Sequence, residues 1–212
     1  MAGLAMVPAV PQRRDDPVAR AERALGGRAL IDRVRAISWT GTAEVNLPER
    51  TLVLGVETRI EPFVRARSTS WIKAEGKATA RALVIEPDAG YVLRDGKRQP
   101  LPEALLAHER QQYGLYGHLL LKGRLQASGA DLLSTRAGCA PARLRLSPNG
   151  RVVAAEMNVT APDDPGKTIR EQVGLDSWGV TSGLAWPRRL AIRQGGRRYF
   201  TLVVDTFAVE LS

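Results

Sequence analysis

Side chains able to carry out chemistry are few in this sequence and poorly spaced for it. The two histidines, His108 and His118, lie ten positions apart. On one helix that spacing turns them about 80° from each other and sets them about 15 Å apart along the axis, too far to share a metal ion. The pattern predicts two polar histidines on a partly exposed helix. His108 and Glu109 are neighbours in sequence and point in different directions, so they form no dyad. Cys139 is the single cysteine, which excludes an intramolecular disulfide and any Cys-x-x-Cys zinc or redox site. It stands between Gly138 and Ala140, with no adjacent His or Lys to activate the thiol. Asp163-Asp164 precede Pro165-Gly166 without a further carboxylate at calcium-ligand spacing, so they read as turn residues, as do Asp88 and Asp95. Glu57, Glu61 and Glu109 are candidates for an acid–base pair, but nothing in the sequence brings them together. A Gly-x-Ser-x-Gly elbow, a phosphate-binding glycine loop and a His-Glu-x-x-His motif are all missing. The reading is of no catalytic residue, no metal site and no cofactor.

Charge and aromatics decide about nucleic acid. The chain has 31 basic and 22 acidic residues, a net charge of +9. Lysines occur only at positions 73, 77, 97, 122 and 167; the arginines that make up the rest are scattered and not gathered into a tail. A GC-rich genome explains this composition better than a nucleic-acid partner does, and peripheral attraction to an anionic membrane is a further option. The strand around Arg65, Arg67, Trp71 and Lys73 is the best candidate for stacking a base. It has no second aromatic platform and no matching fingerprint, so no nucleic-acid partner is expected.

A stronger signal lies between residues 102 and 121. Leu105, Leu106, Tyr113, Tyr116, Leu119 and Leu120 give a helix there a broad apolar side. One reading is ordinary core packing. The other is a lid over an apolar cavity, softened by Gly114 and Gly117, each costing about 1 kcal/mol of helix propensity. Apolar cavities with a few polar anchors suit lipophilic ligands, and tyrosine hydroxyls suit the anchoring role. Candidate cavity and lid residues are therefore Trp39, Leu54, Val56, Trp71, Leu105, Leu106, Tyr113, Tyr116 and Leu120.

The elements that must hold these residues are mostly strands. Asp16-Pro17 supplies an N-cap and a first-turn proline for a helix over 18–25, which Gly26-Gly27 ends before a second short helix over 29–34. From Ile37 the hydrophobic period changes to two, and Trp39, Gly41, Ala43 and Val45 alternate with polar residues. Further strands are predicted over 52–60, 63–73, 80–85 and 91–93, with Arg65 and Arg67 on the face of Trp71. Residues 123–141 read as loop. Strands resume over 142–147 and 151–160 around Asn149-Gly150, the clearest hairpin signal in the chain. Three more follow, over 169–178, from Leu184 through Trp186-Pro187-Arg188, and over 198–211 after Gly195-Gly196. These roughly ten strands with short turns must pair antiparallel, and a sheet this large must twist and curl. An apolar content of 44% is ample for a core.

Residues 1–15 read as a flexible lead. The stretch from Met1 to Pro11 is apolar, but it has no basic start and is broken by prolines, so it reads as a remnant of a signal peptide whose start lies upstream. It carries no lipid-attachment cysteine, and no apolar run is long enough to span a membrane.

The order of elements, the Ala24-Leu25-Gly26-Gly27 helix break, the mid-chain helix between two meanders and the closing Gly183-Leu184-Ala185-Trp186-Pro187-Arg188 segment resemble the LolA/LolB-like periplasmic proteins. That resemblance spans roughly residues 17–211. It implies a mainly β chain with α elements: a single domain over 16–212 whose one curved antiparallel sheet forms an open half-barrel, with helices covering the concave side. It also implies a non-catalytic, monomeric periplasmic binding or carrier protein for a lipid, a lipoprotein acyl chain or another hydrophobic ligand. The expected partner is such a ligand or a lipidated protein, and a cytoplasmic location stays open. The missing lipidation cysteine argues against the receptor-type branch. The alternative is an interaction, sensor or assembly module that docks a partner on its concave face or on long sheet edges. An enzyme with an unrecognised site ranks third.

Overall fold

Where the structure, a computed structural model, describes the chain (residues 16–212), it opens with two short helices. The expected flexible lead over 1–15 lies outside the described residues. In α1 (Pro17–Leu25), the Asp16 side chain accepts a hydrogen bond from the Val18 amide at 3.1 Å, and Pro17 takes the first helical position. Gly26 and Gly27, at φ 139° and 93°, end it before α2 (Arg28–Arg33). Ala21, Leu25 and Ile31 are the buried contacts of this pair.

Two antiparallel meanders follow. The first comprises β1 (Val34–Asn46), β2 (Thr51–Glu61), β3 (Arg65–Ile72), β4 (Arg81–Ile85), β5 (Gly90–Arg94) and β6 (Lys97–Pro100). The helix α3 (Glu103–Leu119) leads to the second: β7 (Arg124–Ser128), β8 (Asp131–Thr135), β9 (Ala142–Leu146), β10 (Val152–Ala161), β11 (Asp164–Thr181), β12 (Leu184–Gln194) and β13 (Arg197–Leu211). The first and last strands join the meanders, running from Val34 opposite Leu211 to Val45 opposite Phe200. The result is one 13-stranded antiparallel sheet in the order β6-β5-β4-β3-β2-β1-β13-β12-β11-β10-β9-β8-β7.

This order requires curvature. Because β6 and β7 are opposite edges, twelve strand spacings of about 4.8 Å would set them about 58 Å apart on a flat sheet. The connection between them is chiefly α3, whose 17 residues span about 25 Å. The sheet must therefore curl until its edges come within reach of one helix, and α3 then lies across the concave side, packed mainly on β10 with further contacts to β4, β9 and β11. The strand count anticipated a curled antiparallel sheet, and the resemblance implied the open, curved half-barrel with helical cover on its concave face that the structure has.

The register decides which side chains face inward. Trp39 stands opposite Thr58, Gly41 opposite Val56 and Ala43 opposite Leu54. On the next strand Val56 meets Ser70 and Thr58 meets Ser68. This concave-facing row belongs to the core, with Trp39, Ala43 and Val56 buried.

Three strands lie where none was expected. The four residues of β6, Lys97–Pro100, are all exposed and show no apolar period. The stretch read as a loop over 123–141 contains β7, which is largely polar, and β8, whose adjacent Leu132 and Leu133 break the period of two. Ladder pairing with a neighbour makes these strands, not their own pattern. The sheet edges are correspondingly short, at four and five residues, and not long. Lys97, Arg98 and Pro100 on β6 discourage strand addition there.

Candidate functional site

Tyr116 fastens α3 to the sheet. Its ring lies 4.9 Å from Trp39 on β1 and 6.5 Å from Trp186 on β12, while Trp186 stacks on Phe207 of β13 at 5.2 Å and 6°. Aromatic pairs at these separations add about 0.5–1.5 kcal/mol each beyond the area they bury. The Trp186-Pro187 strand start therefore supplies a packing platform.

Beside this clasp the helix stands off the sheet, leaving a cavity of about 390 Å³, at the lower end of the range of small-molecule pockets. Along α3, Leu105, Glu109, Gln112 and Tyr116 line it, at the i, i+4, i+7, i+11 spacing of a single stripe. Trp39, Ala43 and Val45 of β1 and Leu54, Val56 and Thr58 of β2 form the facing wall, continued by Leu83 and Val92 on one side and by Ile192, Phe200 and Leu202 on the other.

Of the nine residues singled out from sequence, six line this space: Trp39, Leu54, Val56, Leu105, Tyr113 and Tyr116. Three lie elsewhere. Trp71 sits on the convex face, because its register partner is Gly55 and not Val56. Its ring covers Gly55, where a Cβ would fall 2.3 Å from the indole, and Lys77 lies 5.0 Å from the ring centre. That packing also occupies the ring proposed for base stacking. Leu106 turns aside to pack over Gly90 of β5. Leu120, just past the end of α3, is fully buried in the core.

Of the two glycines in the middle of α3, one has a packing role. A Cβ at Gly117 would meet the Phe63 ring at 2.6 Å, so only glycine lets that ring lie against the helix. At Gly114 the nearest atom would be Cys139 Sγ at 3.6 Å, an ordinary contact.

Beyond the two tyrosines, sequence reasoning did not assign the polar part of the cavity, and it named Glu109 only as an acid–base candidate. Glu109 and Gln112 enter it from the helix, and Thr58, Ser68, Ser70 and Arg81 from the sheet. The i, i+4, i+7 spacing from Leu105 was the available signal. Thr58 and Ser68 share a hydroxyl–hydroxyl bond of 2.8 Å. Behind Gln112 lies Glu171, fully buried on β11, whose Oε1 accepts from Gln112 Nε2 and Gln194 Nε2, both at 2.6 Å. Its Oε2 has no hydrogen-bond partner among the described residues. Burial, reinforced by the Glu171 charge and opposed by Arg81, pushes the Glu109 carboxyl up to about 7. Burial and then the Glu109 and Glu171 charges likewise push the Tyr199 phenol up to about 12. Tyr113 and Tyr116 are also raised, chiefly by burial, with a hydrogen bond to Ser68 opposing the shift at Tyr113.

Both histidines are buried, contrary to the partly exposed placement expected from sequence. The curled sheet covers the helix face that looked free. His118 donates from Nε2 to the Ala140 carbonyl at 3.1 Å and accepts at Nδ1 from the Ser134 hydroxyl at 2.7 Å. Burial pushes it down to about 4, against the bond to Ala140. His108 donates from Nδ1 to the Thr160 carbonyl at 2.7 Å, and its Nε2 lies 3.5 Å from Gln194 Nε2. Gln194 thus connects His108 to Glu171, but neither His108 nor Gln194 lines the cavity. Cys139 is half-buried, and desolvation raises its thiol pKa against the nearby Arg136. Among the described residues no three His, Cys, Asp or Glu side chains gather as a metal site would require, and no helix is long and apolar enough to cross a membrane.

No protein-family model and no curated protein matches the chain. Solved structures do match in shape. A LolA superfamily protein from Nitrosomonas europaea superimposes with a TM-score of 0.56 at 9% identity, over 92% of each chain. A domain described as an outer membrane lipoprotein-sorting protein from Vibrio parahaemolyticus gives 0.53 at 7% identity, over 82% of this chain and 85% of that one. The chain has the LolA fold. At these identities the likeness concerns the path of the backbone.

Proposed function

We propose that this protein is a non-catalytic binding or carrier protein for a lipid, a lipoprotein acyl chain or another hydrophobic ligand, held between α3 and the concave face of the sheet. The observation that carries this reading is the cavity of about 390 Å³ walled by Trp39, Val45, Leu54, Val56, Leu83, Leu105 and Phe200. A space of this size and lining stabilises an apolar chain by removing it from water, at about 25 cal/mol per Å² of apolar surface. The LolA fold shared with a lipoprotein-sorting domain supports the same reading, and with it a periplasmic setting. Within that reading α3 is the element that opens or closes the cavity, and the excess positive charge favours contact with anionic membrane surfaces.

Native mass spectrometry of the purified protein, followed by organic extraction, tests the proposal. A bound lipid in the wild type, lost in Leu54→Asp and kept in Trp71→Ala, is the expected result. A clean unliganded mass that does not change after incubation with phospholipid and fatty acid would refute it.

A further inference from the structure

The cavity holds a polar group that its own walls do not satisfy. Glu109 lies half-buried on the cavity-facing stripe of α3, and it makes no hydrogen bond or ion pair among the described residues. Its neighbours do not supply the missing partner. Gln112, one turn along, commits its amide nitrogen to Glu171. Glu171 adds a second negative group at the same end, and its Oε2 is itself unpartnered among the described residues. Tyr113, Tyr116 and Tyr199 contribute phenols, of which Tyr113 is engaged with Ser68. Thr58 and Ser68 are bonded to each other. The only cation lining the cavity among the described residues is Arg81 at the start of β4, an exposed side chain that offsets the Glu109 charge in part.

A carboxyl held in an apolar space without a donor is costly unless a ligand brings one. A ligand carboxylate or phosphate placed here would face Glu109 and Glu171 across a low-dielectric gap, with exposed Arg81 as its sole counter-charge. A protonated amine would supply both the missing donor and the missing charge. Resting on the carrier reading above, we propose that Glu109 is the polar anchor of the cavity, and that the cavity takes a single-chain amphiphile with a primary-amine head in preference to one with an anionic head.

Displacement of the neutral fluorophore N-phenyl-1-naphthylamine by dodecylamine, dodecanol and dodecanoate tests this. At about pH 8.5, where Glu109 is charged and the amine is still protonated, dodecylamine is expected to displace the fluorophore about tenfold more effectively than dodecanoate. Glu109→Gln should reduce that advantage to about threefold or less. A second measurement needs no variant: in the wild type the amine advantage should shrink at about pH 5.5, where Glu109 is protonated. Equal displacement by amine and carboxylate, or an advantage that survives both Glu109→Gln and acidification, would overturn the anchor role and leave the carrier reading intact. Failure of the fluorophore to bind at all would overturn both.

Discussion

Gly114 and Gly117 stand three residues apart on α3, and alanine at the two positions is expected to have opposite effects. Helix propensity alone favours both changes by about 1 kcal/mol. At Gly114 the added methyl would meet only Cys139, with Sγ at 3.6 Å and Cβ at 3.9 Å. That is normal van der Waals contact, so Gly114→Ala should realise most of the propensity gain. At Gly117 the methyl would lie 2.6–2.7 Å from three carbons of the Phe63 ring. The ring has little room to withdraw. Phe63 is fixed at a φ of 61°, its edge meets His118 at 4.9 Å, and Arg136 lies 5.6 Å from its centre. Overpacking of this kind costs about 1–3 kcal/mol, which cancels or exceeds the propensity gain, so Gly117→Ala should be neutral to about 2 kcal/mol less stable than wild type. Urea unfolding followed by tryptophan fluorescence gives the numbers, since Trp39 and Trp186 are both buried in the core. In thermal terms, Gly114→Ala should raise Tm by about 2–4 °C, and Gly117→Ala should leave it unchanged or lower it by up to about 8 °C. If Gly117→Ala stabilised the protein as much as Gly114→Ala, Gly117 would be a flexibility device and the packing argument would be wrong.

Acid should act on two buried groups with opposite signs. His118 titrates near 4 in the folded chain against an ordinary 6.5, so the stability it contributes above about pH 6.5 is lost as pH falls toward 4, about 3 kcal/mol in all. Glu109 titrates near 7 against 4.5, so its contribution is complete below about pH 4.5 and is lost as pH rises through 7, about 2 kcal/mol once its partial exposure is allowed for. The wild type should therefore vary little in stability between about pH 7 and 4.5, whereas Glu109→Gln should be steadier at neutral pH and lose about 2 kcal/mol or more on acidification; parallel pH profiles for the two proteins would contradict this. Glu171→Leu leaves the Gln112 and Gln194 amides without their shared acceptor and should cost about 2–3 kcal/mol in urea unfolding, and a stabilised variant would show that the buried carboxylate is a net burden. Trp71→Ala removes packing over Gly55 on the convex face and should lower stability by about 1–3 kcal/mol without weakening fluorophore binding, whereas a tenfold loss of binding would place Trp71 in the site.

Much of the architecture was legible from local patterns. The period of two through Trp39, Ala43 and Val45 marked β1, Asn149-Gly150 marked the β9–β10 turn, and Asp16-Pro17 marked the start of α1. β6, β7 and β8 were not legible. Their residues are mostly exposed, or break the alternation, and pairing with strands already in place makes them part of the sheet. The cavity divided in the same way. Leu105 and Tyr116 announced themselves as apolar members of a helix stripe, while Glu109 figured only as an acid–base candidate and Gln112 carried no signal of its own.

The sequence by itself determined the type of the well-patterned elements and their antiparallel pairing, because these follow from periods, caps and turn residues acting over a few positions. Tertiary structure alone decided where α3 would lie, since its place depends on the curl that brings β6 and β7 toward one another. It also decided the burial of His108, His118 and Glu109, the standing of Trp71 on the convex face, and the need for glycine at position 117. Each of these depends on residues far apart in sequence, which meet only after β1 and β13 close the two meanders into one sheet.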